Sequence, residues 1–127
     1  MTPHAFRTIV LKMTGAVEGA HMDHPDFRAN GRIFATLSRD GKRGMVKLTP
    51  DQQAQFIRAH PQMFEPAAGA WGRGGSTMVV LAAADEETVG EAVTLAWQAT
   101  SREESKRLRS LQTASRLQSP PTRRSRR

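Results

Sequence analysis

The stretch Asn30-Gly31-Arg32-Ile33-Phe34-Ala35-Thr36-Leu37 decides the fold class of this 127-residue chain. Asn-Gly is the preferred dipeptide of a two-residue type I′ hairpin turn, because both central positions need positive φ and these two residues tolerate it best. A run of apolar and β-branched residues follows, so the segment reads as a hairpin tip and its return strand. Strict alternation would put Ile33, Ala35 and Leu37 on one face and Phe34 and Thr36 on the other. Phe27 to Ala29 is then the incoming strand. Asp40-Gly41, followed by Lys42-Arg43-Gly44, makes a second turn, and Met45 to Leu48 makes the next strand. Strands joined by turns this short are antiparallel neighbours.

Upstream, Thr2-Pro3 opens a helix, with Thr as N-cap and Pro at the first helical position, where a missing N–H costs nothing. Phe6, Ile9, Val10 and Met13 fall at helical spacing, and Gly15 suits a left-handed helix end. Val17 to Met22 reads as a strand, with His24-Pro25-Asp26 as a turn held by side chain-to-backbone bonds. Downstream, Thr49-Pro50-Asp51-Gln52 has the form of a capping box, and Phe56 and Ile57 supply the apolar face of a short helix that Pro61 stops. Glu65 to Gly75 reads as a loop in which Trp71 packs onto the sheet. Thr77 to Ala82 is a continuous apolar run and predicts an internal strand. Asp85-Glu86-Glu87 begins a last helix with charge that favours its dipole, and Val89, Ala92, Val93, Ala96 and Trp97 form its stripe. The order is helix, three or four strands, helix, one or two strands, helix. With helices on one face of an antiparallel sheet, the expected fold class is a two-layer α+β domain.

The formal charge of +7 belongs to one segment. Arg102, Lys106, Arg107, Arg109, Arg116, Arg123, Arg124, Arg126 and Arg127 outweigh Glu103 and Glu104 by seven, whereas residues 1–101 carry ten basic and ten acidic side chains. The expected organisation is a neutral globular domain over 1–101 and a cationic tail over 102–127, helical to about residue 118 and disordered after Pro120-Pro121. Cysteine is absent, which excludes disulfides, thiolate metal ligands and cysteine nucleophiles. No apolar run reaches the roughly 18 residues that span a bilayer, and Met1 to Thr14 reads as a helix, not a secretion signal. A cytoplasmic protein is expected.

Four segments resemble the bacterial MmcQ/YjbR family: Glu18 to Leu37, Val46 to Gln53 (VKLTPDQQ), Phe64 to Gly75 (FEPAAGAWGRGG) and Ala92 to Trp97. The likeness covers about residues 3 to 100, and GRIFATL and VKLTP are its most specific blocks. Arg32 stands where the family usually has lysine. The resemblance implies an α-β(3)-α-β(2)-α layout similar to type III secretion chaperones and, more loosely, to frataxin. It also implies a double-wing arrangement of hairpins described as DNA-binding, with no enzyme activity and no cofactor.

The candidate chemistry is therefore binding. Arg28 and Arg32 flank the Asn30-Gly31 tip, and Arg39, Lys42, Arg43 and Lys47 surround or follow the second turn, where they can lie along phosphates. Surface turns also carry such residues merely to stay solvated and to blunt sheet edges. Arg73 stands in a glycine-rich loop that matches no nucleotide-binding fingerprint. The tail attracts polyanions without sequence preference, and five engaged cations would give a salt slope of about −4.5. It has no aromatic residue for base stacking. Glu18, His21, Asp23, His24 and Asp26 crowd together, but Pro25 and the strand reading argue against a metal-binding helical face. No Ser, His and acid are placed by spacing for hydrolysis. The reading is weak, non-specific DNA binding without catalysis. The alternative is a protein-interaction module that docks a partner on the open sheet.

Overall fold

The computed structural model describes residues 1–21 and 24–117, with side chains in the last helix as far as Arg102. The elements are α1 (Pro3–Leu11), β1 (Val17–His21), β2 (His24–Ala29), β3 (Arg32–Leu37), β4 (Arg43–Lys47), α2 (Pro50–Ala59), β5 (Phe64–Pro66), α3 (Gly69–Arg73), β6 (Ser76–Val80), a single 3-10 turn at Leu81–Ala83, and α4 (Glu86–Leu117). Six strands form one sheet in the order β1-β2-β3-β4-β6-β5, and every neighbouring pair is antiparallel. α1 and α4 pack together over the middle strands, and α2 lies against β5 and β6. The fold is α+β in two layers.

Local signals in the sequence set most element starts. The Thr2 hydroxyl accepts from Ala5 N at 3.0 Å, and Pro3 follows as the first helical residue. The capping box of α2 is complete: Gln52 N donates to Thr49 Oγ1 at 3.1 Å, and Thr49 N donates to Gln52 Oε1 at 3.0 Å. Asp85 caps α4 by accepting from Thr88 N at 2.8 Å. Each such cap contributes about 1 kcal/mol. Asn30 and Gly31 both have positive φ, as a type I′ turn requires.

Register determines which side chains are dry. Phe27 pairs with Ala35, Ala35 with Val46, and Val46 with Thr77, so one row crosses four strands. All four are wholly buried, together with Phe6 and Val10 of α1 and Val89, Ala92 and Val93 of α4. Burying each large apolar side chain stabilises the fold by about 1.5–3 kcal/mol. The opposite face carries Thr36, Met45 and Met78 in register, all half-buried. Asp26 lies in the same row but is only 1% exposed, because Arg28 grips it through two bonds of 3.2 and 3.3 Å and Gly19 opposite leaves room for its carboxylate.

Three details depart from the sequence reading. The β2–β3 register shifts at Phe27/Arg28, so Arg28 pairs with Ile33 and Phe34 has no partner on β2. This bulge breaks the alternation: Phe34 and Ala35 are both wholly buried while Ile33 is half-exposed. His24-Pro25-Asp26 is not a turn but the start of β2, where Pro25 pairs with Ala20 and the ladder to β3 begins only at Asp26. The Glu65 to Gly75 segment is not a plain loop, since it holds the end of β5 and the single-turn helix α3.

Gly75 has φ +112° and any Cβ there would run into the Leu48 carbonyl, whereas Gly15 (φ +76°) has nothing within 4 Å. Gly15→Ala should therefore cost about 1 kcal/mol in urea unfolding and Gly75→Ala about 3 kcal/mol or more. The carboxyls of Asp40 and Asp85 both sit below their ordinary value of 3.8, chiefly because backbone N–H groups of Lys42 and Thr88 donate to them. The folded state thus binds those protons less tightly than the unfolded chain. Their stabilisation is complete above the ordinary value and is lost as pH falls through the lower folded values. Asp40→Asn with Asp85→Asn should flatten the acid limb of the stability curve in that window.

Candidate nucleic-acid interface

The Asn30-Gly31 tip is clamped to the last helix. Asn30 Nδ2 donates to Thr100 Oγ1 at 3.0 Å and to Ser101 Oγ at 3.1 Å. Thr100 is buried and donates in turn to the Trp97 carbonyl at 2.6 Å, while Trp97 Nε1 donates to the Thr14 carbonyl at 2.9 Å. The tip is therefore no free-standing wing. Exposed Arg32 comes two residues after the clamped Asn30, and exposed Arg102, the first residue of the cationic extension, one residue after Ser101. From there α4 continues unbroken to Leu117. Those sixteen residues extend about 24 Å at the usual helical rise. Lys106, Arg107, Arg109 and Arg116 lie on this extension; Arg123, Arg124, Arg126 and Arg127 lie outside the described residues.

Arg39, Lys42 and Arg43 belong to the β3–β4 turn, at the other end of β3. This turn is also held tightly. Ser38 Oγ donates to Asp40 Oδ1 at 2.7 Å, Lys42 N to the same oxygen at 3.0 Å, and Arg43 N to Ser38 Oγ at 3.0 Å. Leu81 N bonds the Lys42 carbonyl at 3.2 Å. Arg43 Nε meets Glu65 Oε2 at 2.7 Å, just as Arg28 meets Asp26, so carboxylates of the same chain already offset two of the candidate cations. Consecutive hairpins place their tips at opposite ends of the shared strand, and the Arg32 and Arg39–Arg43 groups do not form one surface.

Lys47 closes β4 at the same end of the sheet as Arg32. Its ammonium lies 5.7 Å from the centre of the Trp71 ring, within reach of a cation–π attraction. Trp71 does not pack onto the sheet as expected but is 70% exposed. The buried residue of this short helix is instead its neighbour Gly72, where a Cβ would collide with the Ala67 carbonyl. Gln53 Nε2 holds this geometry by donating to the Gly72 and Ser76 carbonyls at 3.0 and 2.9 Å. Lys47, Trp71, Ala70, Gly74 and Ser76 border a hollow of about 230 Å³, with exposed Arg73 on the same short helix. Sequence reasoning missed both the Asn30 clamp and the outward Trp71. An Asn-Gly pair signals a turn, but nothing in it names two hydroxyls seventy residues away.

Of the histidine-rich segment, Asp23 and the His21 side chain lie outside the described residues. Glu18 pairs with Arg7 at 3.0 Å, Asp26 pairs with Arg28, and among the described residues no three metal-ligating side chains converge. No helix among the described residues is long and apolar enough to cross a membrane.

Comparison with known proteins places this geometry. No curated protein matches the chain. A crystal structure of the Deinococcus radiodurans protein DR2400, with a DUF419 domain, is similar at a TM-score of 0.63 and 18% identity, over 76% of this chain and 75% of that one. That likeness supports the fold. The family model for YjbR matches residues 11–99, from the end of α1 into α4, which takes in the whole sheet and ends just short of the Asn30 contacts at Thr100 and Ser101. With the two-layer fold in agreement, the chain belongs to the YjbR family.

Proposed function

We propose that this YjbR-family protein binds DNA weakly and with little sequence preference, at the end of the molecule where the β2–β3 tip meets the α4 extension. The observation that carries the reading is the Asn30 clamp, which joins Arg32 to the start of a helical segment bearing Arg102, Lys106, Arg107, Arg109 and Arg116. Phosphates attract such a segment through charge alone, with counterion release as the driving term. An α-helix with side chains is about 10–12 Å wide, which suits a B-DNA major groove of about 12 Å. The neutral core and the absence of aromatics in the extension leave no obvious means of reading bases, so positioning outweighs specificity. The protein is read as a binder without catalysis, and YjbR is not a known enzyme family.

One observation favours a second reading. Trp71 stands 70% exposed on a rigid mount at the rim of the uncovered sheet face, the kind of side chain that anchors protein interfaces. A partner protein docked across Met45, Met78 and Trp71 would use this face and leave the extension aside.

Fluorescence anisotropy of a labelled duplex across a salt series separates the two. Changing Arg102, Lys106, Arg107, Arg109 and Arg116 to Gln should reduce the slope of log K against log salt by up to about 4.5, and Arg32→Gln by about 0.9. Neutralising Arg39, Lys42 and Arg43 at the far end should leave the slope unchanged. A full chain that binds no duplex even at low salt would defeat the DNA reading. In that event Trp71→Ala is the variant to compare in partner capture.

A further inference from the structure

α4 carries opposite charges on its two halves, and the acidic half lines a groove. The groove has a volume of about 850 Å³ and runs between α1, α2 and α4. Its floor is half-buried and apolar: Ile9, Met13, Phe56 and Leu95. Its rim holds exposed Glu86, Glu87 and Glu91 against a lone lysine, Lys12. Glu86 and Glu87 sit in the first turn, where the helix dipole accounts for them. Glu91 lies more than a turn further in and has no such explanation.

The groove-lining positions Glu87, Glu91, Thr94 and Gln98 repeat at steps of four, three and four. Continued along the same helix at such steps, the face reaches Arg102, Ser105, Arg109, Gln112 and Arg116. One face of α4 is thus acidic in its first half and basic in its second. Turning the helix end for end matches each half to the other.

We propose that two copies of the chain pair through antiparallel α4 helices, each cationic extension occupying the acidic-rimmed groove of its partner. A twofold axis near residue 100 brings Glu91 level with Arg109 and sets Glu86 and Glu87 between the levels of Arg109 and Arg116. The same operation serves both copies, so the contact closes as a dimer and leaves nothing to propagate. The lengths agree: Glu86 to Gln98 covers about 18 Å and the extension about 24 Å. The extension's own sequence supplies Leu108 and Leu111 for the apolar floor. It cannot reach the groove of its own chain, because α4 runs straight from the groove into the extension without a break. The pairing stands independently of the DNA reading, although both use the same cations.

Sedimentation velocity of the full chain, without DNA, tests the pairing. Wild type should form a dimer that weakens as salt rises. Glu87→Lys with Glu91→Lys, and separately Arg109→Glu with Arg116→Glu, should each weaken association about tenfold or more. An equimolar mixture of the two variants should regain dimer mass, since each then offers the charge the other has lost. The chain has no cysteine. Arg102→Cys, close to the axis, should therefore form a disulfide-linked dimer under mild oxidation while exposed Lys47→Cys should not; this readout decides the matter if a charge reversal unfolds the protein. Three results would overturn the proposal: a wild-type monomer at every concentration, a dimer untouched by both reversals, or a mixture of folded variants that stays monomeric.

Discussion

A sheet that is dry on one side only constrains everything else in this molecule. The row Phe27, Ala35, Val46 and Thr77 crosses four strands and must be covered, and α1 and α4 are the elements that cover it. Because the chain puts both against the same face, the other face stays half-exposed, with Met45, Met78 and Thr36 at its centre and Trp71 at its rim. The bulge at Phe34 serves the same end. It turns two consecutive large or apolar side chains toward the helices where alternation would have sent Phe34 outward.

α4 then acts in two regimes. To Ala96 its stripe is core, and at Thr100 it still makes buried contacts. Beyond Ser101 its sequence turns cationic. The Asn30 clamp marks this boundary. It costs the β2–β3 hairpin the freedom a wing would need, and it makes the base of the extension a fixed point. The proposed polyanion attraction and the proposed helix pairing both start from a cationic segment of α4 that follows the Asn30 contacts, and they draw on the same side chains.

Much of this was legible in residue order. Thr49-Pro50-Asp51-Gln52 names a helix start because its hydrogen bonds are local, and the same holds for Thr2-Pro3 and Asp85. Asn30-Gly31 names a turn because positive φ is a property of the residue itself. His24-Pro25-Asp26 misled because proline signals a break in an isolated peptide, yet here the neighbouring ladder starts one residue later and the missing N–H goes unneeded. Trp71 misled because a large aromatic ordinarily supplies core, whereas the buried position of this short helix is Gly72, which has no room for a side chain.

What residue order determined, then, is whatever depends on neighbours within a few positions: caps, turns, the antiparallel pairing of hairpins, and the uneven distribution of charge along the chain. Tertiary structure alone decided which cations stand together. Asn30, in the turn that leads to Arg32, meets Thr100 seventy residues away, Arg28 and Arg43 pair with Asp26 and Glu65, and Arg39 to Arg43 lie at the far end of β3. Charge carries no directional code along a chain, so only the packing that fixes distances could sort those residues into surfaces.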